Sequence, residues 1–595
     1  MTELYIDGVC VTLPAGFTVT VKRENPFFTK NGEYTYDIAL PLTDPVNAKL
    51  YGFLNRLNSV DDIKTRRRAV LRSENRVFCD GTEVVTGWTD KQVNIQLVSG
   101  NSELNYFIGS DQLISSLKMC ETNPIAGGKP DNRHVIETYP EIDYNLVMTY
   151  DAAADKDINK WRIPSTVPGT IPAENVIEPQ KEAVQPYDYI PQPYLCAYLR
   201  ELLKAMGYTL AYNAIEHTPW AQIYIVHINK TYKWNEMLPG WKVKEFLEEV
   251  EKLFNVSFFI NSRTREARIL LNNAFLTSTK SHHVSTVIDE YTVECDEEPD
   301  EDVLHSNLSY DLPSGTYFKL RSIPDVVWQA AKHRDIVGGM YNFFDKPENQ
   351  VLDTIFYNPA DDRYYIYQDK EKLTYYQKVH EFCPLRREGA TCDISFAIVP
   401  AEFAYRSRYW SNTDSQSQPT YLIPTVSGST TETETPPTSI EEMVEVMQED
   451  SESKGDLFMA FFGGIPKPTG GGRYSSYSHQ AFTDKPTASP TFHLGDMAEV
   501  FYQNGYDIDF KNPVRISSWD PNLFDSQSVV EIRNRRYLCK EVEYVLDAQG
   551  RCKPWSGLFY PIRISDTEAD ARWILADGKW RDGGVWLDSG RWLDE

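Results

Sequence analysis

Closely spaced cysteine pairs, long apolar runs and an excess of basic residues are all missing from this 595-residue sequence. Its nine cysteines lie far apart with no CxxC spacing, which fits synthesis in a reducing compartment. Cys196 falls in an apolar helical pattern and Cys79 and Cys539 in strand patterns, where a thiol packs as a small hydrophobe. No stretch approaches the length of a membrane-spanning helix, so no integral membrane segment is expected. Residues Met1 to Asp7 lack the basic-then-apolar order of a signal peptide. Lys and Arg number 60 against 86 Asp and Glu, for a net charge of −26. Affinity for a polyanion comes from clustered cations that displace counterions, so stable nucleic-acid binding is not expected. Walker loops, GxGxxG, HExxH, GxSxG and calcium-binding loops are also absent.

What is present favours strands. Tyr (36) outnumbers Phe (27), and Pro (35) and Gly (32) supply many turns. Phe17, Val19 and Val21 alternate with Thr18, Thr20 and Lys22, and Tyr34 to Leu40 and Val93 to Leu97 repeat that period. Asp80-Gly81 is read as a hairpin turn between 76–79 and 82–85. Asp44 caps a helix that Pro45 opens and that carries Leu50, Phe53, Leu54 and Leu57. Residues 1–120 therefore read as a sheet or barrel with one packed helix. Residues 121–190 form a Pro-rich extended connector, with Tyr139-Pro140 and 187–193 laid over a surface.

Residues 191–275 form an α+β module. One helix runs from Leu195 to Met206, and a second carries Val243, Phe246, Leu247, Val250, Leu253 and Phe254 on one face. A hairpin of 256–260 against 267–271 follows. Strands return over 276–410. Residues 411–455 read as a flexible linker with a short acidic helix, residues 456–565 as a C-terminal β region, and residues 566–595 as a tail.

The candidate chemistry does not assemble. His282-His283 has no further ligand at a metal-binding spacing and reads as an exposed loop pair. In His380-Glu381-Phe382-Cys383, neighbouring strand residues face opposite ways. The carboxylates from Asp296 to Asp302 read as a solvated loop, and Arg66-Arg67-Arg68 as a solvated strand end. No catalytic, cofactor or metal residue is assigned, and the expected class is a β-rich structural component rather than an enzyme. The tail repeats a tryptophan motif at Trp580, Trp586 and Trp592, with Trp573 before it. These four are the candidate interaction residues. The leading reading is a packing stripe that caps the domain or closes an oligomer, ahead of docking onto another protein or stacking on sugar rings. The expectation is that they are ordered only in an assembly, buried against a neighbouring subunit or another protein of that assembly.

Several whole phrases carry a resemblance. They are residues 27–38 (Phe27-Phe28-Thr29-Lys30-Asn31-Gly32 onward), Leu54-Asn55-Arg56-Leu57, residues 97–105 (Leu97-Val98-Ser99-Gly100-Asn101-Ser102-Glu103-Leu104-Asn105), Pro193-Tyr194-Leu195 with Met206-Gly207-Tyr208, and Leu238-Pro239-Gly240-Trp241 with residues 253–258. In these the chain resembles the tail hub (tail-tip or baseplate hub) proteins of tailed bacteriophages of Bacteroidota, relatives of the spike hub of contractile tails and type VI secretion. The phrases cover about half the chain, mostly before residue 275, and residues 411–595 match nothing in that family. The resemblance implies a multi-domain β-rich α+β fold with two tube-like β-barrel domains, 1–120 and 276–410, around the α+β module. It implies a homotrimer forming a pseudo-six-fold ring that joins tail tube to tail tip and lines the DNA exit channel. The implied partners are tail-tube and distal tail proteins, the tape-measure protein and tail-tip or fibre proteins, and the implied location is the virion tail after synthesis in the bacterial host cytoplasm. The alternative is a tail-tip receptor-binding or carbohydrate-binding protein.

Overall fold

The computed structural model describes residues 1–56, 66–109, 111–151, 154, 156–162, 178–179, 186–272, 281–284, 288–293, 295, 305–311, 325–338, 340–358, 363–367, 373–376, 382–384, 392–406, 421–426, 457–462, 468–469, 473–474, 478–479, 494–502, 507–523, 528–532 and 535–563. Its N-terminal strands are β1 (Thr2–Ile6), β2 (Val9–Cys10), β3 (Thr18–Glu24), β4 (Glu33–Thr35), β5 (Ile38–Pro41), β6 (Arg67–Ser73), β7 (Arg76–Trp88) and β8 (Gln92–Ser99). Alternation places Val19 and Val21 in the core, with Thr18, Thr20 and Lys22 on the other face. Helix α1 (Pro45–Leu50) starts where Asp44 Oδ1 accepts from Val46 N–H (2.9 Å) and Asn47 N–H (3.3 Å). It ends before Gly52 and Phe53, both at positive φ, so Phe53 and Leu54 lie beyond the helix.

Asp80-Gly81 is not a turn. Strand β7 runs straight through it, and the hairpin turn lies at Glu74-Asn75 (φ +50° and +61°), between the paired Ser73 and Arg76. Gly81 serves close strand approach instead: a Cβ there would sit 2.1 Å from the Val98 carbonyl oxygen.

The central body follows. Helix α2 (Asn101–Ile108) leads out of β8, and α3 (Leu195–Ala205), β9 (Thr209–Asn213), β10 (Ile223–Val226), α4 (Val243–Phe254), β11 (Val256–Asn261) and β12 (Glu266–Leu271) build the middle. Strands β9, β12 and β11 form one sheet, with β11 and β12 paired from Val256↔Leu271 to Asn261↔Glu266, as the hairpin pattern predicts. All six apolar positions read onto one face of α4 are buried. Its polar side is covered as well: Glu249 accepts from Ala397 N–H (2.9 Å) and Glu251 from Phe258 N–H (3.2 Å). Parts of the proline-rich segments are interior, since Tyr139, Leu146, Val147, Met148, Ile190 and Tyr194 are buried, while Pro140, Pro186 and Tyr187 are exposed as a surface-laid segment would be. Irregular backbone can be interior only if its polar groups are paired. Here side-chain amides pair them: Asn159 bonds the Val147 and Ile190 carbonyls and Ile190 N–H, and Gln192 exchanges two bonds with the His227 backbone.

The chain then returns to the first sheet through β13 (Ser281–His283) and β14 (Ile288–Val293), and goes back to the centre, where β15 (Leu457–Phe462) pairs antiparallel with β10. It finishes in β16 (Val514–Ser518), β17 (Val529–Ile532), β18 (Arg535–Asp547) and β19 (Trp555–Arg563). The first and last strands make one 15-stranded sheet, ordered β2-β1-β6-β7-β8-β4-β3-β18-β19-β16-β14, with β5, β17, β13 and a short strand at Asp507–Ile508 off that path. Its seam is the antiparallel pair β3–β18, in register from Thr18↔Asp547 to Glu24↔Glu541. Both sides of the seam share one core, in which Phe78 meets Tyr544 edge-on at 5.5 Å. The fold is β-rich. Two barrels were expected; among the described residues no closed barrel is found, the strands of 1–99 belonging to an open sheet whose order does not return from β14 to β2 and those within 276–410 being divided among several sheets.

Residues 325–376 add a small sandwich. A four-stranded sheet packs Val327 and Trp328 on the face of Ile355 and Ile366, and Phe343 and Phe344 on the face of Phe356, Tyr365 and Tyr367.

Candidate functional site: the joint between sheet and central body

Three of the phrases singled out in the sequence meet at one place. Gly32 N–H donates to Ser102 Oγ (3.0 Å), Asn105 Nδ2 donates to the Lys30 carbonyl (2.9 Å), and Lys30 pairs with Glu251 (3.0 Å). A Cβ on Gly32 would come within 2.7 Å of Asn101 N and 2.8 Å of the Ser99 carbonyl, so this approach needs glycine. Asn101 acts as a piece of strand. Its Nδ2 donates to the Phe258 carbonyl (2.6 Å) and its Oδ1 accepts from Ile260 N–H (3.0 Å), stitching α2 to β11.

Glu103 stands at the centre. Its residue is 0% exposed, and its Oε1 accepts from Thr82 Oγ1 of the sheet (3.0 Å) and from Arg265 Nη1 of the β11–β12 turn (2.5 Å). Gly100 N–H donates to Ser262 Oγ in that same turn (2.8 Å). A buried charge needs a charged or hydrogen-bonding partner, and here the partners come from two different units. The arrangement holds the large sheet and the central body in one fixed relation.

The other charged residues sort as follows. Of the run Arg66-Arg67-Arg68, Arg66 and Arg68 are exposed, as a solvated strand end would be, and Arg67 is not. Arg66 lies over the Phe107 ring (4.0 Å), Arg68 pairs with Asp80 (2.8 Å) at the surface, and Arg67 is buried against Glu83. His282 and His283 lie on strand β13 rather than in a loop, with His283 exposed and His282 half-buried. Burial lowers the His282 pKa, and the charge of Asp520 opposes that shift. Among the described residues no group of three or more His, Cys, Asp or Glu could hold a metal ion. Cys383 lies on strand Phe382–Pro384 opposite Leu308. His380, Glu381, residues 296–302 and all four of Trp573, Trp580, Trp586 and Trp592 lie outside the described residues. Among those described, no helix is long and apolar enough to cross a membrane.

Sequence reasoning missed Glu103, Arg265 and His227. The available signal for Glu103 was a carboxylate one residue before the apolar Leu104, directly after a strand. His227 carries a pH dependence. It is fully buried, its Nε2 donates to the Pro191 carbonyl (2.9 Å), and its Nδ1 has no hydrogen-bond partner among the described residues. Burial pushes its pKa down to about 4. The fold thus holds the neutral ring. The stability this confers is complete above the unfolded-state pKa near ~6.5 and is lost as pH falls toward 4. The full loss is about 3 kcal/mol at ~1.4 kcal/mol per unit. Urea unfolding at pH 7.5 and 4.5 should show a stability difference that His227→Gln reduces by about 2 kcal/mol or more. An unchanged pH dependence in that variant would remove His227 from this role.

No family model and no curated protein matches the chain. Among solved structures, it is similar to the 43 kDa tail protein of prophage MuSo2 from Shewanella oneidensis, at 8% identity over 94% of this chain and 98% of that one, with a TM-score of 0.32. A tail protein from Neisseria meningitidis is similar at 6% identity over 94% and 95% of the two chains, with a TM-score of 0.28. At these scores neither likeness establishes a shared fold.

Proposed function

We propose that this chain is a structural tail hub protein of a tailed bacteriophage. Three copies form a ring that joins the tail tube to the tail tip and lines the channel through which DNA leaves. The observation that carries this reading is the seam β3–β18, which sets two strand assemblies of one chain side by side, β1–β8 on one flank and β14 with β16–β19 on the other. A trimer of such chains presents six comparable assemblies around an axis, as a three-fold tip on a six-fold tube requires. The acidic balance fits a conduit, because cations on its wall would hold passing DNA. The resemblance points the same way, and three of its phrases build the joint around Glu103. The ring contacts tube and distal tail proteins above it, the tape-measure protein within, and tip or fibre proteins below. Its work is positioning, and no enzymatic step is assigned to it.

An electron cryo-microscopy map of intact particles tests the reading. Three copies in a pseudo-six-fold ring at the tube end are expected. A strictly six-fold ring, a monomer, or a position on the fibres would overturn it.

A further inference from the structure

The core layer of the large sheet stops one strand before the sheet does. In an antiparallel pair, directly opposed residues share a face. Tyr291 and Val293 of β14 oppose Ile516 and Val514 of β16. Ile516 and Val514 are 2% and 8% exposed and belong to the core, yet Tyr291 and Val293 are 60% and 46% exposed. Thr292, on the opposite face, is exposed as well. Among the described residues β14 pairs with β16 alone, and no described strand lies on its other edge. An apolar stripe on an unpaired edge is what soluble β proteins cover.

The course of the chain indicates what covers it. Strand β14 is antiparallel to β16 and β16 is antiparallel to β19, so β14 and β19 run the same way. Val293 opposes Val514, which opposes Phe559, and Arg563, the end of β19, lies four residues further on. The chain therefore leaves the sheet at the Val293 end of β14, displaced sideways by two strand spacings, about 10 Å. About ten extended residues reach ~33 Å, ample to turn and come back along that other edge. Residues 564–595 remain for that path, and they carry Trp573, Trp580, Trp586 and Trp592 among several Gly and Asp residues. Such a short segment cannot bury four indoles by itself.

We propose that the C-terminal segment of the same copy adds to the other edge of β14 and lays its tryptophans over Tyr291 and Val293. This completes the core layer of the sheet, and it holds whether or not the chain is a tail hub.

Two measurements on the full chain test it. Benzoylphenylalanine in place of Tyr291, irradiated in an equal mixture of heavy- and light-isotope protein, should cross-link to peptides within 571–595 of the same isotopic form. Cross-links joining heavy to light would overturn the same-copy assignment in favour of a second copy, and cross-links elsewhere, or none, would overturn the seat itself. Independently, removing residues 571–595 should speed amide exchange across 288–293 at least tenfold while exchange in β18 stays as it was. Unchanged protection of 288–293 would count against the proposal.

Discussion

Replacing Phe246 by Ala is expected to lower the unfolding free energy by about 3–5 kcal/mol, the range for a large aromatic removed from a closed core. Phe246 is 0% exposed in the middle of α4. Its ring meets Tyr198 of α3 edge-on at 5.5 Å and Trp241 at 6.4 Å, and Tyr198 in turn stacks on Trp234 at 6.1 Å. These large rings hold one another in place, so the space left by the benzyl group cannot close by a small shift. With Glu249 and Glu251 tying the opposite side of α4 to Ala397 and Phe258, the helix cannot slide in to fill it either. Phe246→Leu should cost less than half as much. Denaturant unfolding of both variants would decide the matter, and a loss under about 1 kcal/mol for the alanine would show that this core is less closed than described.

Arg67→Ala should cost a similar ~3–5 kcal/mol, for the different reason that it strands a buried carboxylate. The Arg67 and Glu83 side chains are 6% and 1% exposed. Arg67 Nε and Nη2 grip Glu83 Oε2 at 2.6 and 2.5 Å, Nη1 donates to the Leu50 carbonyl at 3.1 Å, and the guanidinium lies over the Tyr51 ring. Tyr51 donates its hydroxyl proton to the same carboxylate. Burial pushes the Glu83 carboxyl up, and the charge of Arg67 is the largest influence opposing it. Without Arg67 that pKa rises further above the unfolded value near ~4.3. The folded variant then binds a proton that the unfolded chain does not, so its deficit is greatest at neutral pH and shrinks as pH falls through the raised pKa. The pair Arg67→Met with Glu83→Gln, which keeps an acceptor for Tyr51, should recover most of the loss at pH 7. If the single variant were as stable as the parent, or the double variant no better than the single, the ion pair would not have this role.

Both predictions rest on residues whose legibility in the sequence differed. Phe246 was readable, because an apolar face at helical spacing depends only on neighbours three and four residues away. Arg67 was not. In sequence it stands inside a basic run, and only the fold brings Glu83 and Tyr51 around it. Asp80-Gly81 shows the same limit from the other side. Its composition is that of a tight turn, but the glycine is needed because the Val98 carbonyl passes so close to it. The actual turn at Glu74-Asn75 lacks the glycine that usually marks such hairpins.

Local patterns thus determined the strand-rich class, the Asp44 cap, helix α4 and the β11–β12 hairpin, since each follows from residues within a few positions of one another. Only the tertiary structure decided that residues 18–24 pair with 541–547, that Asn145, Asn159 and Gln192 lie inside, and that Glu103 joins two units. Pairing across five hundred residues leaves no periodic mark in either strand. An alternating strand states which face is buried, and only folding settles which distant strand lies beside it.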